Sequence, residues 1–449
     1  MKVAIFTDTF MPCTNGIVDA VWRISKGLKK AGNTVHIFAL SDKNSDEIIE
    51  GVIIHKFQGR IFRFYEDYMM RYTVPIRRVF KIAKKVDFDV IHSNSHLSMG
   101  LSALILSRLK KIPLISTFHT LLPQYLEIHT DQLKSTYYEK SRALRLAHKS
   151  KFLDLLSKIS KKLVWWWLSY HNIGTWITTP SNFSKKILIN NGIHREKIFV
   201  VPNPIDLGIY KKTKKKNEIP LILHVGRLSP EKRVDVLIKA LKCVKTDFKC
   251  IITSDGSNRS LLQELAIKEG VSNKIKFTGI VSKEKLTKYY HKADIFVSPA
   301  IYDTFNNCVA EALSHDTPVI IDKKSGATDF VKHGLNGIIV NSSNPKGYAS
   351  QIELLLKKND FKNISSEIKD YTHIDNIVAQ FEKVYTKKNY KKQKSFLDTV
   401  KYLFSGAFFY SLLALGETGI FLRNIIHLFS LIKRKMKELL ILCFKGKVK

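Results

Sequence analysis

A chain of 449 residues that is 45% hydrophobic and 25% charged is too long for one ordinary core and too apolar for a disordered protein, so at least two domains are expected. Its 74 Lys and Arg against 39 Asp and Glu leave a formal charge of +35, which calls for anionic company: nucleic acid, an anionic membrane surface or phosphorylated small molecules. Cys13, Cys243, Cys250, Cys308 and Cys443 are scattered without metal-type spacing, so they read as reduced thiols in a cytosolic setting.

The opening "MKVAIFTDTF" carries one lysine and a short apolar run broken by Asp8, which reads as a first strand and not a signal peptide. "KVAIFTD" (2–8) is a buried strand, and "GIVDAVWRISKGLKKAG" (16–32) a helix with apolar residues at 17, 18, 21, 24 and 28 and Gly32 as its stop. "TVHIFAL" (34–40), "VIHSN" (90–94) and "PLISTFHT" (113–120) are further strands with helices between them. The charged, proline-ended "KKTKKKNEIP" (211–220) marks a boundary, and the pattern then restarts. "PLILHVGRL" (220–228), "KCIITSDG" (249–256), "KIKFTGIV" (274–281), "DIFVSPA" (294–300) and "PVIID" (318–322) are strands; "RVDVLIKALKCV" (233–244) and "SLLQELAIKEG" (260–270) are helices. Two such series predict an α/β protein with two doubly wound, Rossmann-like domains. The expected division is 1–205, 206–388 and a basic, apolar helical tail at 389–449.

Ligands of doubly wound sheets sit beyond the carboxyl ends of the strands. At these ends stand Gly16, where a helix N-terminus opens to an anion, and His119 in "STFHT". In "HVGRLSPEKRVDVLIKAL", Gly226 and Arg227 end a strand, and Lys232 follows Pro230 and Glu231 in what reads as a helix first turn. Arg227 and Lys232 are expected to converge on one anion, the first as a fork of donors and the second as a point charge. In "DIFVSPAIYDTFNNCVAEAL", Asp303 falls in the loop, Asn306 and Asn307 near the first helical turn, and Glu311 inside the helix. A loop acid suits sugar hydroxyls, a helix N-terminus suits phosphate, and a helix acid suits a ribose diol.

These stretches, with "TTPSNFSKKIL" and "VVPNPID", resemble in order the retaining glycosyltransferases of family 4, over about residues 1–385. The resemblance implies the two-domain GT-B fold. It places Gly16 near the donor phosphate and acceptor, His119 at the reacting centre, and Arg227 and Lys232 on the diphosphate. It makes Asp303 and Glu311 the acids of the family's E-x7-E motif, and gives Asn306, Asn307 and Cys308 as backbone-amide donors. The first acid is Asp where the family usually has Glu, and Asn306 stands where glycine is usual. The implied reaction moves a hexose from a nucleotide-diphosphate sugar, UDP-glucose being the leading choice, with no cofactor. No aspartate pair of metal-ligand type stands out, so no metal is expected.

Two basic, apolar regions bear on the acceptor. "KFLDLLSKISKKLVWWWLSYHN" (151–172) has apolar residues at helical spacing, with Lys158, Lys161 and Lys162 beside Trp165, Trp166 and Trp167, which suits a bilayer interface or a helix packed between domains. In the tail, "YLFSGAFFYSLLAL" (402–415) falls short of the roughly 20 residues that span a bilayer, and "TGIFLRNIIHLFSLIKRKMKELLILCF" (418–444) is amphipathic and basic. The expectation is a protein on the cytoplasmic face of the membrane, peripheral or re-entrant, docked on anionic lipid. The acceptor is then lipid-borne: diacylglycerol or a glycosylated diacylglycerol, as in the diacylglycerol glucosyltransferases that the chain resembles. A soluble enzyme acting on a polysaccharide or phosphorylated sugar, and a non-catalytic nucleotide-sugar-binding subunit, are the other readings. No basic, aromatic-interleaved nucleic-acid module is visible, so no nucleic-acid partner is expected.

Overall fold

The computed structural model describes residues 1–13, 15–62, 70–73, 75–120, 168–205, 217–341, 344–357 and 364–387. Trp165, Trp166, Trp167, Lys158, Lys161, Lys162 and the tail lie outside the described residues.

The first sheet has eight strands, β1 (Lys2–Thr7), β2 (Thr34–Ser41), β3 (Ser45–Ile49), β4 (Val52–Gln58), β7 (Val90–Ser93), β8 (Leu114–Thr117), β9 (Trp176–Thr179) and β10 (Ile198–Val200), in the order β10-β9-β8-β7-β1-β2-β4-β3. Every pairing is parallel except β3 with β4. Arg60–Phe62 (β5) and Met70–Tyr72 (β6) form a separate antiparallel pair. Both faces of the large sheet are covered: Val3 and Ile5 of β1 face one apolar cluster, Ala4 and Phe6 the other. A strand buried on both sides needs a continuous apolar run, which is why "VAIF" reads without alternation. On one face lies α1 (Gly16–Lys30); on the other lie α2 (Ile76–Ala83) and α3 (Ser98–Lys110).

The second sheet has six strands, β11 (Leu221–Val225), β12 (Lys249–Thr253), β13 (Ile275–Phe277), β14 (Ile295–Ser298), β15 (Val319–Asp322) and β16 (Gly337–Val340), in the order β13-β12-β11-β14-β15-β16, all parallel. Ile222 and Ile320 face one cluster, Leu223 and Ile321 the other. In each sheet the strand order reverses beside the first strand, between β1 and β7 and between β11 and β14, and the crevices at these switch points are where such sheets bind ligands.

The structure departs from the sequence reading in four places. β9 and β10, four and three residues long, went unread, as did β3, β4, β5, β6 and β16. The strand expected over 274–281 ends at Phe277, because Gly279 turns the chain at φ 70°. Lys232 lies in a 3-10 turn, Pro230–Lys232, and not in the first turn of an α-helix: Arg233 at φ 51° separates this turn from the helix Val234–Leu241.

A fourth difference concerns the last described helix. Ile374–Tyr385 falls in the stretch assigned to the second domain, yet its Ile377, Val378, Phe381, Val384 and Tyr385 join the core of the first sheet. Their spacing is one helical face. Gly27 of α1 makes room: a Cβ there would lie 2.7 Å from Ile374 Cγ1 and Val378 Cγ2. Tyr385 also meets His92 Nδ1 at 2.7 Å, and Asn33 donates to Glu382 Oε1 at 2.8 Å.

Candidate active site

The second domain supplies the charges. Gly226 follows β11 at φ 157°, in a region that side chains rarely adopt, and the chain then runs through Arg227 to the 3-10 turn. A Cβ on Gly226 would lie 3.9 Å from Lys232 Cδ. Lys232 Nζ donates to Asp303 Oδ2 at 2.5 Å, with both side chains 20% exposed. Arg227 has its own acid, Glu231 Oε1, at 3.7 Å. The two cations expected to converge on one anion thus each face a carboxylate, because half-buried charges of opposite sign pair. Burial raises the Asp303 pKa, but the Lys232 ammonium outweighs it and the carboxyl ends below its ordinary value. Burial likewise lowers Lys232, while Asp303 and then Glu231 raise it, with a net rise. Both remain charged at neutral pH.

Asp303 leads into the helix α8 (Asn307–Ser314; the intervening helices are α4, Asn182–Asn190, α5, Val234–Leu241, α6, Arg259–Lys268, and α7, Lys283–Lys292). Asn306 caps α8 in a left-handed conformation, φ 69° and ψ 69°. Its backbone N–H donates to Asp303 Oδ1 at 3.1 Å and its amide nitrogen to Ser298 Oγ at 2.9 Å. The first of these bonds holds the carboxylate; the second stabilises a conformation that costs a non-glycine residue about 1 kcal/mol or more. Cys308 is half-buried in the first turn, and burial, then Glu311, pushes its thiol up to about 12, so it stays protonated. Glu311 Oε2 accepts the Tyr290 hydroxyl at 2.8 Å, and burial raises its pKa.

The first domain supplies neutral imidazoles and one buried acid. His119, just beyond β8, meets Asn94 Oδ1 through Nε2 at 2.8 Å, and burial lowers its pKa to about 4. His171 contacts Ser116 Oγ through Nδ1 at 2.9 Å, and burial lowers it to about 3. The ring of His96 stands 5.0 Å from that of His171. Asp8, at the end of β1, accepts the Met99 N–H at 2.7 Å, and burial raises it to about 6. Gly16 opens α1, capped by Asn15, whose Oδ1 accepts from Ile17 N and Val18 N at 3.0 Å.

These two groups meet. A Cβ on Gly16 would stand 3.1 Å from the Asn307 amide nitrogen, and Asn203 Nδ2 donates to Asn307 Oδ1 at 3.0 Å. The Thr304 hydroxyl donates to the His119 carbonyl at 2.9 Å. So Gly16 and His119 lie against the loop and helix that carry Asp303, Asn306, Asn307, Cys308 and Glu311, and Lys232 joins them through Asp303. Sequence reasoning missed Asp8, Asn94, Ser181, Tyr290 and Thr304. Ser181 and Thr304 lie inside stretches that carry the resemblance, but a hydroxyl's partner is not written in its neighbours.

Comparison with known proteins bears on this arrangement. Residues 14–208 match the model described as Glycosyltransferase Family 4, and residues 209–372 match Glycosyl transferases group 1. An alpha-monoglucosyldiacylglycerol synthase of Streptococcus pneumoniae is 25% identical over 434 residues, covering 90% of this chain and 92% of the relative. A GDP-mannose-dependent alpha-mannosyltransferase of Mycolicibacterium smegmatis is 25% identical over 354 residues, 76% of this chain and 84% of the relative. Among solved structures, Anabaena Alr3699/HepE in complex with UDP and glucose aligns with a TM-score of 0.62 at 17% identity, over 86% of this chain and 99% of that one. With both halves matched in order and the two-sheet architecture shared, the chain belongs to glycosyltransferase family 4 and is a nucleotide-sugar-dependent hexosyltransferase of the GT-B fold.

Proposed function

We propose that the chain transfers glucose from UDP-glucose, with retention at the anomeric carbon, to a lipid-borne hydroxyl, that of diacylglycerol or a glycosylated diacylglycerol. The observation that carries this reading is the pairing of a charged half-site with a neutral one: Lys232 and Asp303 at 2.5 Å, tied through Thr304 to the neutral His119. A departing diphosphate gathers negative charge as the bond from the sugar carbon to the phosphate oxygen breaks. Lys232, Arg227 and the first N–H groups of α8 are the donors for that charge, worth a few kcal/mol each when preorganised. Asp303 holds sugar hydroxyls and Glu311 the ribose diol. A neutral imidazole at His119 suits an uncharged hydroxyl or sugar face, and leaves the phosphate's charge to the cations. The new bond joins the acceptor oxygen to the sugar carbon, and the acceptor's proton leaves with the phosphate.

The lipid acceptor is supported by the similarity to the monoglucosyldiacylglycerol synthase and by the net charge of +35, which favours an anionic membrane surface. Among the described residues no helix is long and apolar enough to cross a membrane; the reading places the chain at the cytoplasmic face as a peripheral or re-entrant protein. The test incubates the full chain with UDP-glucose or GDP-mannose and with vesicles containing diacylglycerol or its monoglucoside, and reads products by mass spectrometry. Glycolipid formed from UDP-glucose on anionic vesicles supports the reading; turnover confined to soluble sugar acceptors, or to GDP-mannose, overturns it.

A further inference from the structure

The segment 302–305 lies between the two domains and serves both in alternation. The Tyr302 side chain packs against the first-domain cluster of Phe118, Leu168 and Ile177. Asp303 turns to Lys232 of the second domain. The Thr304 hydroxyl returns to the first domain, donating to the His119 carbonyl at 2.9 Å. Phe305, 1% exposed, sinks into the core of the second. The backbone bends at Tyr302, Thr304 and Phe305, and Asp303 alone makes a bridge, to Ser325, so the alternation is set by these bends. The segment is bracketed by Tyr302 at φ 59° and Asn306 at φ 69°, two left-handed residues that turn the chain into and out of it.

Thr304 is held at both of its oxygens. Its carbonyl accepts the Ser181 hydroxyl at 2.6 Å, and Ser181 is itself fixed as the cap of α4, accepting from Ser184 N at 3.1 Å. Thr304 is 7% and Ser181 0% exposed. From behind, Gly326 donates its N–H to the Asp303 carbonyl at 2.7 Å, and a Cβ on Gly326 would fall 2.0 Å from the Thr304 oxygen. Beside them the Asn182 amide nitrogen reaches Asp329 Oδ2 at 3.0 Å, again across the domains. A side chain so enclosed and so short has little freedom to take up slack.

The geometry points to Thr304 as a positioning residue that ties contact between the domains to the placement of Asp303 against His119. It touches neither donor nor acceptor; it acts through the His119 carbonyl on one side and through its chain neighbour Asp303 on the other. Where the domains part, the Thr304–His119 bond breaks and the charged and neutral half-sites separate; where they close, that bond restores their register. This rests on the assignment of Asp303 to the donor sugar and His119 to the reacting centre. Free nucleotide, held by Glu311 and the cations of the second domain, does not depend on it.

The experiment compares full-length Thr304→Val and Thr304→Ser with the parent chain. It measures kcat and KM with UDP-glucose and lipid vesicles, UDP affinity by calorimetry, and hydrogen exchange at amides 118–120 and 303–306. Thr304→Val, which keeps the shape and removes the donor, lowers kcat about 10-fold to 100-fold, the scale for misplacing reacting groups. UDP affinity stays within about twofold, and exchange at 118–120 quickens. Thr304→Ser keeps most of the rate and the protection. A Thr304→Val chain with parental kcat and parental protection overturns the proposal. So does a loss of UDP affinity equal to the loss of kcat, which makes Thr304 a packing residue of the second domain. If Thr304→Val does not fold, Thr304→Ala is read in the same way. If the parent chain binds no UDP, the donor assignment falls by itself, and the exchange comparison still decides whether Thr304 joins the domains.

Discussion

The two domains each bury polar groups, and the second keeps the charges of its pair where the first neutralises its histidines. In the second domain Lys232 and Asp303 lose water but keep their charges, because each has the other at 2.5 Å. In the first domain His92, His119 and His171 lose water and their charge as well, with values lowered to about 3, 4 and 3 by burial. Their partners are Tyr385 and Thr117, Asn94, and Ser116, all neutral. Burial alone therefore does not decide ionisation; the presence of an opposite charge does. In the proposed reading the charged pair meets the diphosphate and the neutral His119 the acceptor side.

The largest effect comes from breaking the charged half. Lys232→Met is expected to lower kcat on the order of 10²-fold to 10³-fold, and to cost about 2–3 kcal/mol of stability by leaving Asp303 a half-buried, unpaired charge. Adding Asp303→Asn should restore most of the stability and none of the rate. Urea melts beside steady-state kinetics separate the two; recovery of rate in the double variant would deny Lys232 its part in catalysis.

The neutral half is tested by acid. The unfolded chain takes up protons on histidine near pH 6.5, while the folded chain refuses them until about pH 3 to 4. Between these values the unfolded state binds more protons, so stability is full above pH 6.5 and declines as pH falls, each histidine adding a slope approaching about 1.4 kcal/mol per unit. His171→Gln should flatten the fall measured in urea at pH 7, 6 and 5. An unchanged slope would mean that His171 is charged when folded.

Smaller effects sharpen the contrast. Glu311→Gln is expected to weaken UDP about tenfold. In the parent chain, affinity should decline on acidification sooner than for an ordinary carboxylate, because burial raises the Glu311 pKa. Calorimetry across pH 4 to 7 checks both. Smallest of all, Asn306→Gly should change stability by less than about 1 kcal/mol, relief of the left-handed strain offsetting the lost bond to Ser298. Asn306→Ala, with the strain kept and the bond gone, should cost more in thermal melts.

Much of this was legible in the residues. "VAIF", "LIL" and "VII" are continuous apolar runs, and each lies in a strand covered on both faces. Asp303, Asn306, Asn307, Cys308 and Glu311 lie on one loop and one short helix, so their nearness is local and spacing alone reveals it. The same holds for Gly226, Arg227 and Lys232, though the break at Arg233 was hidden, since no propensity marks an arginine at φ 51°.

The sequence by itself determined the two alternating series of strands and helices, the strand-end placement of the candidate groups and the basic character of the chain, because periodicity and composition are local properties. Only the tertiary structure decided that Lys232 pairs with Asp303, 71 residues away, that Tyr290 holds Glu311, and that Thr304 reaches His119 across the domains. It also decided that the helix Ile374–Tyr385 returns to the first sheet, where its apolar face meets the space left by Gly27. A helix's apolar stripe states that it will be buried but not against what; the partner depends on which other surface has a gap of the right shape, and that exists only once the chain has folded.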